Sequence, residues 1–220
     1  MENQPAKAHI SSGWRKILEH PYIYNLQQLI LGSETAKKTL INKYCKPPNR
    51  SRILEIGCGT GSLLRCIDKD LNVEYCGYDL NPTYIDFAQK TYGDRGRFYC
   101  ANTLEADMPE DYFDMVLAIG IFHHLNEHES VKLVESAWHS LRSRGFLFTA
   151  DPVLTPTQSS LEKYLISRDR GQNVRTEAEY NNLVRARFVN IESHIVTGLL
   201  NIPWTVNIIT ARKNTSESSF

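Results

Sequence analysis

The sequence lacks a charge imbalance, a cysteine framework and a long apolar run. Its 25 lysines and arginines balance 25 aspartates and glutamates, so long-range attraction to a polyanion such as nucleic acid is not expected. The five cysteines form no CxxC pair, which favours free thiols in a reducing compartment. No N-terminal signal region and no bilayer-spanning apolar segment is present. These absences predict a soluble cytoplasmic protein that binds neither nucleic acid nor membrane.

The sequence does contain a regular alternation of strand-like and helix-like runs after residue 51. Five runs favour strands, at 52–56 (RILEI), 73–79 (VEYCGYD), 97–102 (RFYCAN), 113–120 (FDMVLAIG) and 145–151 (GFLFTAD). One predicted helix opens over 62–68, one has Pro82 in its first turn, and one covers 129–143 and ends at Gly145. This alternation predicts a parallel sheet covered on both faces by right-handed crossovers.

The last two apolar runs, 187–196 and 204–213, differ from the others because no helix separates them. We expect them to pair antiparallel at a sheet edge. Together with the five earlier strands they predict an α/β fold, a doubly wound and mostly parallel seven-stranded sheet with an antiparallel C-terminal hairpin.

The segment before the sheet has a different pattern. Residues 13–44 favour helix, broken or restarted at Pro21, and a short Pro-rich linker leads into the first strand. We therefore predict an N-terminal helical lid over 1–48 and a core over 49–220, with a substrate loop around 154–186.

The first strand runs into three glycines, Gly57, Gly59 and Gly61, in RILEIGCGTGSLL. Ligands of parallel sheets bind beyond the carboxyl ends of the strands, and glycines there let a ligand lie against bare backbone. The following helix directs its free N–H groups at the same place. The alternative interpretation is a tight strand-to-helix turn that binds nothing.

Two carboxylates indicate what such a ligand is. Asp79 ends the second strand about 20 residues after the glycines, the spacing typical of an acid that binds ribose hydroxyls; its alternative role is a helix N-cap. The third glycine, Gly61, falls one position early for a dinucleotide pattern, and Glu55 before the loop would repel a pyrophosphate but attract an amino group. The pattern favours a phosphate-free nucleoside with a cationic or zwitterionic arm.

These segments resemble the motifs of class I S-adenosylmethionine-dependent methyltransferases. The resemblance extends from ILEIGCGTGSLL through GYDLNPTYIDFA, RFYCANTLEADMP and YFDMVLAIGIFHHL to LRSRGFLFTADPV, about half of the chain. It implies a Rossmann-like methyltransferase fold and S-adenosylmethionine as the cofactor. It further implies that Glu55, Gly57, Gly59, Gly61 and Ile119 receive the methionine end, that Asp79 binds the ribose, that Leu80 packs on the adenine, and that Asn102 and Thr103 lie at the adenine amino group. The family usually has an Asp where this chain has Asn102.

The segment IFHHLNEHE after the fourth strand supplies the candidate catalytic residues. His123 or His124 would lie beside the reactive methyl group and act as a general base near neutral pH. The alternative is a histidine that only packs and bonds to backbone. His124 and His128 share a helical spacing, but HHLNEH lacks the HExxH order of a zinc site, so no metal is predicted.

Two segments outside these motifs are candidates for substrate selection. Tyr24 and Gln28 in the N-terminal helical run are predicted as parts of a lid, or alternatively as packing residues. Arg170 and Arg175 in LISRDRGQNVRTEAEY are predicted to clamp an acidic substrate, or alternatively to belong to a solvated, mutually paired loop. In the same stretch, Thr176 and Glu179 are spaced as a capping box.

The sequence thus predicts methyl transfer from S-adenosylmethionine to a small-molecule acceptor by in-line displacement. It carries no basic arm and no nucleic-acid-binding motif. Two alternatives stay open: a binding module without turnover, and an NAD-dependent oxidoreductase.

Overall fold

The computed structural model describes residues 21–169 and 171–214, with all side chains in these ranges except those of residues 23, 24, 27 and 28. Its α-helices are α1 (Pro21–Ile30), α2 (Ser33–Thr39), α3 (Pro82–Tyr92), α4 (Glu127–Ser140), α5 (Ser160–Ser167) and α6 (Glu177–Arg185). Shorter helical turns are the π-helical turn Leu40–Cys45 and the 3₁₀ turns Ser62–Cys66, Lys69–Leu71 and Phe122–His124.

The strands form one sheet in the order β3-β2-β1-β4-β5-β8-β7, with the two-residue β6 paired to β5. They are β1 (Arg52–Ile56), β2 (Glu74–Asp79), β3 (Arg97–Cys100), β4 (Phe113–Ile119), β5 (Leu141–Leu154), β6 (Arg175–Thr176), β7 (Val189–Val196) and β8 (Val206–Arg212). Strands β1 to β5 pair in parallel, whereas β8 pairs antiparallel with both β5 and β7. The predicted fold class is confirmed, and β7 is the edge strand of the C-terminal hairpin.

Strand β4 shows why its sequence is apolar throughout. Met115 and Leu117 face a core cluster on one side of the sheet, and Val116 and Ala118 face a second cluster on the other. All four side chains are buried. Because helices cover both faces, a central parallel strand needs apolar residues at successive positions rather than at alternate ones.

Two predicted boundaries are wrong. Helix α4 ends at Ser140 and β5 begins at the next residue, so Gly145 lies within the strand instead of ending the helix. A Cβ at Gly145 would lie 3.0 Å from the backbone oxygen of Asp114, which explains a glycine there by close packing. The helix predicted over 62–68 is a 3₁₀ turn that ends at Cys66.

The strand order reverses between β1 and β4, and this position determines where a ligand can bind. The loops that follow these two strands diverge to opposite sides of the sheet and leave a crevice at its carboxyl edge. The N-terminal helices lie next to this crevice. The Thr60 hydroxyl in the loop after β1 donates to Asn25 Oδ1 on α1 at 2.8 Å, and Asn201 donates to the Ile30 carbonyl at 2.9 Å.

Candidate active site

A cavity of about 650 Å³ occupies the crevice at the carboxyl edge of the sheet. Strand β1 contributes Glu55 and the loop after it contributes Gly57, while Ile119 marks the end of β4. The lining also includes His123 and His124 from the turn after β4. Ala150 and Pro152 from the fifth motif segment line it as well, so the topology brings together residues from three of the five predicted motif segments.

The glycines of the loop after β1 have mainly internal reasons to lack side chains. Gly57 and Gly61 both adopt a φ of 72°, in the left-handed region that disfavours other residues. A Cβ on Gly57 would collide with the Ile121 side chain, and one on Gly61 would lie 2.8 Å from Phe98 Cε1. Protein side chains, and not only a ligand, thus approach this backbone closely. These contacts within the protein account for both glycines.

Asp79 at the end of β2 braces this loop. Its Oδ2 accepts the Gly59 N–H at 2.8 Å, and its Oδ1 accepts the Asn81 N–H at 2.9 Å. Burial raises the pKa of Asp79, while these backbone hydrogen bonds oppose the rise. Each carboxylate oxygen keeps a further lone pair for a hydroxyl donor. The N-cap of α3 is Asn81, which accepts from the Thr83 N–H at 3.0 Å, so the alternative role of Asp79 as that cap is wrong.

Glu55 is a buried carboxylate, 5% exposed, in the wall of the cavity. The Tyr75 hydroxyl donates to its Oε2. Burial raises the pKa of Glu55 to about 7, aided by Asp79 and opposed by the Tyr75 hydrogen bond and the charge of Lys37. A buried carboxylate is costly without a cationic partner, and a ligand ammonium group in the cavity would supply one.

The predicted adenine-binding residues lie beyond the cavity, after β2 and β3. Leu80 is 60% exposed. Asn102 accepts the Leu104 N–H with Oδ1 at 3.1 Å, which leaves one lone pair of that oxygen. Thr103 is buried, and its carbonyl accepts from the Ser136 hydroxyl at 3.2 Å.

His123 lies between two carboxylates that are distant from it in the sequence. Its Nδ1 is 2.8 Å from Asp151 Oδ1 on β5, and its Nε2 is 3.1 Å from Asp169 Oδ2 after α5. Burial lowers the pKa of His123, but the two carboxylates outweigh it and raise the pKa to about 9. Both nitrogens of the protonated ring then donate to carboxylates, and the role of His123 as a general base stays a prediction.

The neighbouring His124 lies in the wall of the cavity. Its ring centroid lies 4.0 Å from that of His123, and it lines the same cavity as Asp169. Nothing in the sequence distinguishes the two adjacent histidines. For Asp151 the sequence does give an indication, because it ends the fifth predicted strand and ligand-facing residues of parallel sheets lie at such strand ends.

Arg175 is not positioned as a substrate clamp. Its guanidinium donates to the Phe122 carbonyl at 2.9 Å, to the Leu125 carbonyl at 2.9 Å and to the Ser130 hydroxyl at 3.2 Å. The residue is buried, and these bonds fix the turn that carries both histidines. Arg175 therefore fits neither the predicted clamp nor the alternative of a solvated, mutually paired loop. The Tyr24 and Gln28 side chains and Arg170 lie outside the described residues, so their predicted roles stay predictions.

The capping box predicted next to Arg175 is present. Thr176 Oγ1 accepts the Glu179 N–H at 3.4 Å, and Glu179 Oε2 accepts the Thr176 N–H at 2.7 Å.

In the described part of the chain, no group of three or more His, Cys, Asp or Glu side chains is arranged to hold a metal ion. Among the same residues, no helix is long and apolar enough to cross a membrane.

Comparison with solved structures gives the same architecture at low identity. YcgJ from Bacillus subtilis superposes with a TM-score of 0.62 at 14% identity, covering 82% of this chain and 99% of that one. A phosphoethanolamine N-methyltransferase 2 from Haemonchus contortus, in complex with S-adenosyl-L-methionine, gives 0.72 at 15% identity, covering 94% and 61%. A SAM-dependent methyltransferase from Methanosarcina mazei gives 0.62 at 16% identity, covering 79% and 97%.

The sequence itself matches one family model and no curated protein. The matching family is described as a methyltransferase domain, and the match covers residues 53–145. This range contains the glycine loop, Asp79 and both histidines of the turn after β4. Residues 53–145 are thus similar to a methyltransferase domain, and the chain as a whole shares the fold of these solved structures.

Proposed function

We propose that this protein is a methyltransferase that transfers the methyl group of S-adenosylmethionine to a small-molecule acceptor bound in the cavity. The observation that carries the proposal is the cavity itself, of about 650 Å³, a volume typical of small-molecule sites. It begins at Glu55 and Gly57 and extends to an apolar wall that includes Leu199 and Trp204. This extent offers room for an acceptor beside the methionine end of the cofactor.

The residues at the sheet edge fit this cofactor. The buried Glu55 carboxylate suits an ammonium group, and the open lone pairs of Asp79 suit two ribose hydroxyls. Leu80, exposed after β2, provides an apolar surface for an adenine ring, and the remaining lone pair of Asn102 can accept from an exocyclic amino group. In this proposal the buried Thr103 shapes the pocket rather than contacting the base.

When bound, S-adenosylmethionine supplies an electrophilic methyl group on a sulfonium. The protein contributes alignment, because a nucleophile held in line with that methyl group reacts far faster than a freely diffusing one. The imidazolium of His123, fixed by Asp151 and Asp169, holds the turn that forms the cavity wall. We propose that His124, which lines the cavity, accepts the proton when the acceptor is a hydroxyl or an ammonium group.

The test incubates the purified chain with methyl-labelled S-adenosylmethionine and a fractionated metabolite extract. We expect label in a small molecule and release of S-adenosylhomocysteine, and the variant His124→Gln should lower transfer while leaving S-adenosylhomocysteine affinity unchanged. Tight S-adenosylhomocysteine binding without transfer to any fraction would favour a binding module. Saturable binding of NAD, but not of S-adenosylhomocysteine, would favour an oxidoreductase.

A further inference from the structure

Lys37, on α2 before the matched methyltransferase domain, brings a positive charge to the end of the cavity where Glu55 lies. Both residues line the cavity. The Lys37 ammonium donates to Ser62 Oγ at 2.6 Å, and Ser62 directly follows the last glycine of the loop after β1. This hydrogen bond holds the ammonium at the glycine loop instead of letting it extend into solvent.

The charges around Lys37 point to an anionic partner in the cavity. Burial lowers the pKa of Lys37, and Glu55 is the neighbour that most opposes this. The Ser62 hydroxyl is a neutral acceptor, and Glu55 Oε2 already accepts from Tyr75. A partly desolvated ammonium gains most from a carboxylate or phosphate at hydrogen-bond distance.

The other cations near Lys37 are engaged elsewhere. Lys38 and Arg65 pair with Glu34 at 3.2 and 3.0 Å, and their side chains are 55% and 49% exposed. Arg168 and His123 also line the cavity. The Arg168 guanidinium lies 5.3 Å from the Tyr164 ring centroid, and His123 pairs with Asp151 and Asp169. Within the described residues, Lys37 is thus the cation placed next to Glu55.

We propose that Lys37 binds the carboxylate of the cofactor's methionine end while Glu55 binds its ammonium group. An α-amino acid group is a zwitterion, and one cationic donor and one carboxylate acceptor at the same end of a cavity match its two charges. The proposal rests on the proposed function, because it assumes that the methionine end lies at Glu55. It makes the N-terminal helix α2 a part of the cofactor site.

The test is calorimetric binding of two ligands that differ at this end. S-Adenosylhomocysteine carries the amino acid group, and 5′-methylthioadenosine has the same adenosine and thioether without it. The variant Lys37→Met should weaken S-adenosylhomocysteine binding about 10- to 100-fold, the value of a charged hydrogen bond, and change 5′-methylthioadenosine binding less than about twofold. Lys37→Arg, which keeps the charge, should recover part of the loss.

Lys38→Met is the matched control, since Lys38 lies on the same helix but pairs with Glu34, and both affinities should stay at the wild-type values. Equal weakening of both ligands in Lys37→Met would indicate a distorted crevice and overturn the proposal, as would unchanged S-adenosylhomocysteine affinity. If the wild-type chain binds neither ligand, the proposed function itself fails and this inference fails with it. Thermal unfolding of each variant shows whether it is folded.

Discussion

Asp79 shows at the scale of a single residue how one carboxylate serves both the fold and the ligand. Its two oxygens accept the Gly59 and Asn81 N–H groups, which ties the glycine loop to the end of β2. Because these bonds use one lone pair on each oxygen, both oxygens can also accept a hydroxyl. The loop and the ribose site therefore depend on the same side chain.

The first prediction is that Asp79→Ala weakens S-adenosylhomocysteine binding by about 1.5–3 kcal/mol for each charged hydrogen bond lost. Asp79→Asn keeps one oxygen acceptor for the backbone but loses the charge, so it should lose less affinity and less stability. Titration calorimetry gives the affinities, and urea unfolding gives the stabilities.

Asp86→Ala is the control for this series, since Asp86 is an exposed acid on the neighbouring helix α3. It should leave both quantities unchanged. An Asp79→Ala variant that binds S-adenosylhomocysteine as tightly as the wild type would show that the ribose lies elsewhere.

At the scale of an element, the turn between β4 and α4 is held by hydrogen bonds from residues that are distant in sequence. Helix α4 begins with a capping box, in which Asn126 Oδ1 accepts the Glu129 N–H at 3.0 Å and Glu129 accepts the Asn126 N–H at 2.9 Å. The turn before it has no such local device in its sequence. Arg175, from β6, donates to the Phe122 and Leu125 carbonyls instead, and the Asn173 N–H donates to the His123 carbonyl at 2.9 Å.

The second prediction is that Arg175→Met lowers the free energy of unfolding by about 2–4 kcal/mol. The substitution removes the guanidinium hydrogen bonds to the Phe122 carbonyl, the Leu125 carbonyl and the Ser130 hydroxyl, and a hydrogen bond contributes about 0.5–1.5 kcal/mol net. Urea unfolding provides the measurement. Arg185→Met, at the exposed end of α6, should change the value by less than about 0.5 kcal/mol, and equal effects of the two substitutions would contradict the role assigned to Arg175.

At the scale of the whole molecule, two buried groups make stability depend on pH in the same direction. The pKa of Glu55 rises from 4.5 to about 7 on folding, mainly through burial. The pKa of His123 rises from 6.5 to about 9 because Asp151 and Asp169 outweigh the effect of burial. In both cases the folded state binds the proton more tightly than the unfolded state. The contribution of each group to the free energy of unfolding is therefore fully present below its pKa in the unfolded state, and it is lost as pH rises through its pKa in the folded state.

The third prediction concerns the alkaline part of this range. Between about pH 6.5 and pH 9 the wild-type chain should lose about 3 kcal/mol of stability through His123, the size that linkage assigns to this change in pKa. In His123→Gln, which cannot ionise, that decline should largely disappear even though the variant is less stable overall. The measurement is the urea unfolding free energy at several pH values.

His128→Gln is the control, because His128 is exposed on α4, and its profile should run parallel to that of the wild type. If the unfolding free energies of His123→Gln and the wild type run parallel across this pH range, the His123 imidazole does not change its protonation on folding.

The elements that were predicted correctly depend on contacts near in sequence. The strands of the parallel sheet, the Pro82 helix start and the Thr176–Glu179 capping box follow from local periodicity, a fixed φ or a hydrogen bond over three residues. The sequence around Gly145 predicts a helix end, whereas the glycine is explained by close packing against the Arg142 carbonyl and against the Asp114 carbonyl of another strand. The sequence around Arg175 predicts a clamp or a solvated loop, because a charged loop sequence does not reveal whether a guanidinium faces solvent or a buried carbonyl.

The sequence by itself determined the alternating sheet, the glycine loop at the end of β1 and the two carboxylates that flank it. Those features follow from side-chain periodicity and backbone conformation, which act over a few residues. Only the tertiary structure decided the charge pairings, since Lys37 and Ser62 are 25 residues apart, His123 and Asp151 are 28 apart, and Arg175 and Phe122 are 53 apart. A buried charge takes its role from the groups that surround it, and these groups meet only once the sheet has assembled.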